Sequence, residues 1–201
     1  MLRSITSDST LFSPARESQL HRKYGTLIDN SIEMAYVNLI RNAESFIYIE
    51  NQYFMGSSYS WSREKDTLSP HVIPQEITQK IVAKILAREP FKVYITIPMY
   101  PEGDPSSAAS QEILYWQHLT MQSMYQTVAE ALATSGAQQT ATDYLSFYCL
   151  GTREGEDQVP EGLEEPEAGS AAERVRRSLR HPVYVHSKLM VVDDTHGRIR
   201  Y

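Results

Sequence analysis

The segment HPVYVHSKLMVVDDTHGRIRY, from His181 to Tyr201, constrains the fold more than any other part of this chain. Leu189 to Val192 is a continuous apolar run ending in Asp193-Asp194, and Val183 and Val185 alternate with Tyr184 and His186 before it. A short run with no polar break is what a strand buried on both faces requires, so it implies a sheet inside a layered fold. It does not account for the imidazole and the ammonium that the same segment carries, because an unpaired buried charge is costly. Alternation along an extended chain sends Tyr184, His186 and Lys188 to one face. His186 and Lys188 then project together from a rigid edge, which makes an anion site. A neutral imidazole is a base or nucleophile and an imidazolium is an acid. A neighbouring lysine is a fixed charge for a phosphate oxygen. Asp193 is a candidate to orient the imidazole, a task that an aspartate elsewhere would also serve. The spacing alone also fits a strand that ends in solvated polar residues.

The rest of the chain alternates helical and strand patterns. Asp29 or Asn30 can cap a helix reaching about Ala43, with Ile32, Ala35, Tyr36, Leu39 and Ile40 on one face. Ser45 to Gln52 reads as a strand and residues 55–72 as a loop. Pro74 suits the first turn of a helix striped by Ile77, Ile81 and Ile85. Phe91 to Ile97 reads as a strand, Met99 to Ser107 as a loop, Ala108 to about Thr134 as a long helix, and Tyr144 to Leu150 as another strand. This order predicts an α/β fold with a mixed, mostly parallel sheet and helices packed on its faces. Residues 1–28 read as an irregular connecting segment and 29–201 as one lobe, with a surface loop at about 154–180.

In such sheets ligands gather at the carboxyl ends of strands. Two of these ends are polar: Glu50-Asn51-Gln52 after the apolar run Phe46 to Ile49, and the loop from Pro98 to Pro105. On the long helix, Trp116, Met121, Met124 and Tyr125 fall at core spacing. Trp61, Met99 and Tyr100 fall in predicted loops, where an aromatic or Met side chain is placed to touch lipid.

The chain carries 19 basic and 25 acidic residues, a net charge of −6. Residues 154–180 hold eight of the acids and four arginines, and the remainder is close to balanced. That balance argues against a general nucleic-acid-binding protein. Cys149 is the one cysteine, so no internal disulfide can form, and it reads as a small buried hydrophobe in a reduced, cytoplasmic compartment. No apolar run reaches the length of a bilayer span, so any membrane contact would be peripheral. No His/Cys cluster has metal-ligand spacing, and no zinc site is expected.

HSKLMVVDD fits the H-x-K-x-x-x-x-D signature of the phospholipase D superfamily. IYIENQYFMGSSYSW (Ile47 to Trp61), VYITIPMYPEGDPSS (Val93 to Ser107), DYLSFYCLGTRE (Asp143 to Glu154) and LRSI (Leu2 to Ile5) resemble words of the plant-type branch, in the same order. Members carry two such signatures around one active site, and here only His186 fits. The Gly-Ser-x-Asn stretch that usually follows is absent. The resemblance therefore implies a piece of a larger enzyme, carrying the second signature of a phospholipase D-like catalytic lobe.

The resemblance also implies roles. The parent would hydrolyse phosphatidylcholine-type lipids to phosphatidic acid and a head-group alcohol through a phospho-histidine intermediate. His186 would be the acid/base, Lys188 a phosphate ligand and Asp193 the third signature residue. Asn51 or Gln52 would line the cleft, with Glu50 as an orienting partner. The expected partners are a phospholipid surface, touched peripherally, and the remainder of the parent catalytic domain. No cofactor is expected in this chain. Calcium dependence is implied for the parent alone, through a separate β-sandwich domain. The alternative is a catalytically inactive truncated product that binds lipid or a partner.

Overall fold

A computed structural model of the chain describes residues 2–5, 28–61, 69–155, 162, 164–193 and 196–200, the last five by their backbone. In chain order the elements are α1 (Ser31–Asn42), β1 (Phe46–Glu50), α2 (Ile73–Ala87), β2 (Lys92–Thr96), α3 (Ala108–Ser135), α4 (Ala141–Tyr144), β3 (Leu145–Tyr148), β4 (Gly151–Arg153), α5 (Ala171–Ser178), β5 (Arg180–Pro182), β6 (Leu189–Val192) and β7 (His196–Arg200). Five strands form a mixed sheet in the order β3-β2-β1-β6-β7, and β4 pairs with β5 in a separate two-stranded sheet. β1, β2 and β3 run parallel, and β6 runs against β1. The α/β lobe expected from the sequence is therefore present.

The helices start where local chemistry directs them. Asn30 is the N-cap of α1 but makes no capping bond with its side chain. The Asp29 carboxylate instead takes the Ser31 N–H at 3.0 Å, which satisfies one orphan donor. Pro74 sits in the first turn of α2. Ser107 caps α3 through its hydroxyl, and Gly136 ends it at φ 67, a conformation that costs glycine little.

One core joins the layers. Ile47 and Ile49 of β1, Val93 and Ile95 of β2, Leu145 of β3, and Met190 and Val192 of β6 all face it. Ile40 of α1, Ile77, Ile81 and Ile85 of α2, and Met124 and Val128 of α3 close it from above. Full burial of one such side chain stabilises by roughly 1.5–3 kcal/mol. The helices α1, α2 and α3 thus gather on one face. The opposite face carries Tyr48, Tyr94 and Tyr148, with Tyr94 and Tyr148 stacked at 6.3 Å, and stays half-buried or exposed.

Several local expectations are corrected. Residues 184–188 join no ladder, Val183 adds one N–H bond to the Leu150 carbonyl at 2.9 Å beyond β5, and β6 begins at Leu189. Cys149 is exposed, because the ladder of β3 ends at Tyr148 and the thiol falls beyond it. Trp61 is not a surface aromatic. It is 5% exposed and stacks on Trp116 of α3 with centroids 5.8 Å apart. Met99 and Tyr100 do remain on the surface. The segment at 154–180 holds the solvated helix α5, while residues 156–161 and 163 lie outside the described residues. Most of the 1–28 segment also lies outside them. Ile5 is bridged to Asp29, which ties the start of the chain to the lobe.

Candidate functional site

The site forms where the carboxyl end of β1 meets the approach to β6. Antiparallel pairing sets Glu50 beside Leu189, so the residues just before β6 reach the residues just after β1. Lys188 Nζ donates to Gln52 Oε1 at 2.8 Å and to the His186 carbonyl at 2.6 Å. An ammonium has three donors, so one is left for an anion. Gln52 Nε2 donates in turn to the Tyr184 hydroxyl at 2.9 Å. The Tyr184 and His186 rings stack with centroids 6.4 Å apart. Tyr184, His186 and Lys188 therefore share one side although no ladder holds them, and Val185 points the other way into the protein. His186 itself is exposed.

Glu50 supports the same edge. One carboxylate oxygen accepts the Tyr48 hydroxyl at 2.8 Å and the other accepts the hydroxyl of Ser187. Burial, with Glu50 adding to it, pushes the Tyr48 phenol above its ordinary pKa, so it stays a donor. Tyr53 is raised too, first by burial and then by its hydrogen bond with Tyr184. Ser187, Tyr48 and Tyr53 were not foreseen as site members. The available signal was Ser187's place between His186 and Lys188, opposite the polar cluster that begins at Glu50.

Asn51 parts from Gln52. Its N–H continues the β1–β2 ladder to Thr96 at 3.0 Å, and its side chain bonds the Tyr53 carbonyl. Strand alternation turns it toward the helical face, where it lines a second hollow of about 280 Å³ with Tyr36, Ile49 and His71. His71 keeps open surface at that hollow, yet the protein packed round its ring pushes the imidazole pKa below the ordinary value, against a weaker upward pull from Glu33.

The structure does not bring Asp193 to the pair. Its carboxylate sits at the other end of β6 and is 8% exposed. It accepts the backbone N–H groups of Glu44 at 2.7 Å, Ser45 at 2.8 Å and Phe46 at 2.8 Å. Its own N–H donates to the Phe46 carbonyl at 3.2 Å. Its φ of 48 is a left-handed conformation that aspartate tolerates better than most residues. The separation has a simple cause. Four strand residues lie between Lys188 and Asp193, and a strand advances about 3.3 Å per residue.

The loop after β1 is pinned to α3. Phe54 N donates to Gln117 Oε1 at 3.1 Å and Gly56 N to Thr120 Oγ1 at 3.2 Å. Ser57 N donates to the His71 carbonyl at 2.7 Å. Phe54 meets Phe147 edge-on at 5.4 Å. Gln52 therefore leaves a strand end that is held on both sides. Among the described residues, no three of His, Cys, Asp and Glu converge as a metal's ligands would, and no helix is long and apolar enough to cross a membrane.

An α/β lobe with a lysine and a histidine held at the strand ends, beside a Glu–Ser–Tyr network, is a framework for receiving an anion. Residues 1–197 match the family model described as Phospholipase D, and the chain belongs to that family. It is 51% identical to phospholipase D gamma 3 of Arabidopsis thaliana over 179 residues, covering 84% of this chain and 21% of that protein. It is 48% identical to phospholipase D beta 2 of the same plant, covering 96% and 22%. It is 49% identical to phospholipase D alpha 1 of Oryza sativa, covering 84% and 21%. The chain thus spans about a fifth of the length of these curated relatives.

Proposed function

We propose that this chain supplies one half of the active site of a phospholipase D acting on phosphatidylcholine-type lipids. The observation that carries the reading is the Lys188–Gln52 hydrogen bond, which, with the bond to the His186 carbonyl, leaves one ammonium donor for an anion beside His186. Lys188 would hold a non-bridging phosphate oxygen and stabilise its charge in the transition state. A histidine from the other signature, elsewhere in the longer polypeptide, would attack phosphorus and form the P–N bond. As the P–O bond to the head group breaks, His186 as imidazolium would give its proton to the departing alcohol. His186, now neutral, would take a proton from water, and that water would displace the first histidine and release phosphatidic acid.

Glu50 and Gln52 position this pair, Glu50 through Ser187 and Gln52 through Lys188. Asn51 takes the lesser part of fixing the β1 exit. Asp193 acts as a strand anchor rather than as a group that touches substrate. The tyrosine-lined face of the sheet fits a surface covered by the remainder of the catalytic domain. Met99 and Tyr100, 40% exposed each, suit a peripheral contact with a phospholipid surface.

The test is choline release from mixed micelles. The isolated 201-residue chain should show no substantial turnover, because it lacks the nucleophile, whereas the longer polypeptide should turn over and lose activity in Lys188→Ala and Lys188→Arg. A planar guanidinium does not replace a compact ammonium in a tight phosphate pocket. Robust turnover by the isolated chain that vanished in His186→Ala would show instead that it completes a site by itself.

A further inference from the structure

An acid/base histidine needs its imidazole held at one angle, and Asp193 does not hold that of His186. Among the described residues no hydrogen bond or ion pair reaches the ring, and Lys188 bonds only the backbone carbonyl. An exposed side chain with no such tie is free to change rotamer. Proton transfer requires the donor within hydrogen-bond reach of its acceptor, and a misplacement of about 1 Å is expensive in rate.

The ring that faces the imidazole belongs to Tyr184. The centroids lie 6.4 Å apart and the planes are inclined by 30°, an offset stack. That separation falls within the range of about 4.5–7 Å over which aromatic rings attract one another. The pair is two residues apart on an extended segment, so both side chains leave on one face.

Tyr184 is itself held, although it joins no ladder. The chain is anchored on either side of it. Val183 N donates to the Leu150 carbonyl at 2.9 Å, and Val185 is buried in the opposite direction. The Tyr184 hydroxyl accepts Gln52 Nε2 at 2.9 Å and shares a hydrogen bond with Tyr53. Gln52 accepts Lys188 Nζ through its other amide atom at 2.8 Å. A ring that is 40% exposed gains little from stacking alone, and the tie at its hydroxyl is what gives it a fixed place. One side chain thus meets the imidazole with its face and reaches the ammonium, through one amide, with its hydroxyl.

We propose that Tyr184 is the positioning residue of His186. Its ring sets the plane of the imidazole, and its hydroxyl, through Gln52, keeps that plane aligned with the Lys188 ammonium. The role rests on the acid/base reading of His186 given above. Tyr184 acts through His186 and need not touch the substrate.

The experiment is a cycle of Tyr184 and His186 substitutions in the longer polypeptide, assayed on mixed micelles, beside NMR of the isolated chain. Tyr184→Leu should lower kcat roughly tenfold with little change in KM, because it loosens a proton donor and leaves lipid binding alone. Tyr184→Phe keeps the ring and should recover most of that loss. In a His186→Ala background, Tyr184→Leu should have no further effect, since the group it acts through is gone. Both single variants should melt with wild type. In the isolated chain, nuclear Overhauser contacts should join the two rings, persist in Tyr184→Phe and weaken in Gln52→Leu, which unties the hydroxyl. The proposal is overturned if the rings of the wild-type chain show no contact, if Tyr184→Leu turns over like wild type, or if its effect multiplies that of His186→Ala. A kcat that falls in step with the melting temperature would also overturn it, as a purely structural role. A His186→Ala parent with wild-type turnover would instead remove the acid/base reading and this role with it, even where the ring contact is seen.

Discussion

At one end β6 runs into Asp193, buried and bonded to three successive amides. At the other it emerges from Lys188 and His186, which meet solvent and are held by a few side-chain bonds. The three residues of the signature thus divide into a closed end tied to the backbone and an open end that meets solvent. The four residues between them, Leu189 to Val192, are the strand itself. A slip of one residue against β1 would send every side chain to the wrong face. The Asp193 bonds to Glu44, Ser45 and Phe46 oppose that slip, and so they determine where Lys188 points. In the second half of the signature spacing, the chain runs as a strand from Leu189 to Val192 and then ties the Asp193 carboxylate to three backbone amides.

The sharpest way to break this division is at the open end. In the longer polypeptide, His186→Ala and Lys188→Ala should each lower turnover by roughly 10²–10⁴-fold, the usual loss for a positioned acid/base or transition-state charge. In the isolated chain the His186 change should leave the melting temperature near wild type, because the ring is exposed. Steady-state kinetics beside vesicle co-sedimentation would check the pair, with surface binding expected to persist. Near-wild-type turnover in His186→Ala would remove the acid/base role.

The closed end should fail in the opposite manner. Asp193→Ala should cost about 3–4 kcal/mol, since it strands three amides that now bond a carboxylate. For a chain of this size that corresponds to roughly 10 °C in melting temperature. Asp193→Asn should fall between, because it keeps one carbonyl oxygen and tolerates the left-handed φ. Thermal melts of the isolated chain measure this. An Asp193→Ala chain that melts with wild type while its parent loses turnover would return Asp193 to the chemistry.

The contrast also explains what could be read in advance. The apolar runs at Phe46 to Ile49, Val93 to Ile97 and Leu189 to Val192 announced the sheet, because burial leaves a periodic trace in one dimension. Lys188, His186 and the Glu50 to Gln52 cluster were legible as polar groups where strands should be apolar. The role of Asp193 was not, because its partners are backbone amides 147 to 149 residues away, and amides have no side-chain signature. Trp61 was misplaced for a related reason: a loop residue is buried only because α3, some 55 positions on, offers Trp116. The β4–β5 pair escaped notice because its exposed tripeptides show no hydrophobic alternation.

The loop beneath the open end gives a smaller effect. A Cβ at Gly56 would lie 2.7 Å from Pro74 Cγ, a ring that cannot swing aside. Gly56→Ala should therefore cost about 1–3 kcal/mol, the range for overpacking. If the loop after β1 steadies Gln52, the same change should lower turnover of the longer polypeptide more than its stability loss explains. Melts and kinetics on one set of proteins separate the two. A Gly56→Ala protein with unchanged stability would mean that the loop moves off α2 freely.

His71 carries the smallest and most specific expectation. It keeps open surface at the hollow under the open end, yet the protein packed round its ring holds its imidazole below the ordinary pKa of about 6.5. The folded protein therefore favours the neutral ring, while the unfolded chain takes up a proton more readily as pH falls below that value. The stability from keeping His71 neutral is fully present above the unfolded pKa and is lost as pH falls through the folded one. The melting temperature of the wild-type chain should thus decline as pH drops from about 7 toward 5, and His71→Gln should remove part of the decline. The Ser57 N–H would keep its bond to the backbone carbonyl of residue 71, so the loop should survive the change. The comparison with the closed end is then direct, because Asp193→Ala should lower the melting temperature at pH 7 itself, where the His71 contribution is intact. Parallel melting curves for wild type and His71→Gln across that range would show that the hollow does not bias the imidazole toward its neutral form.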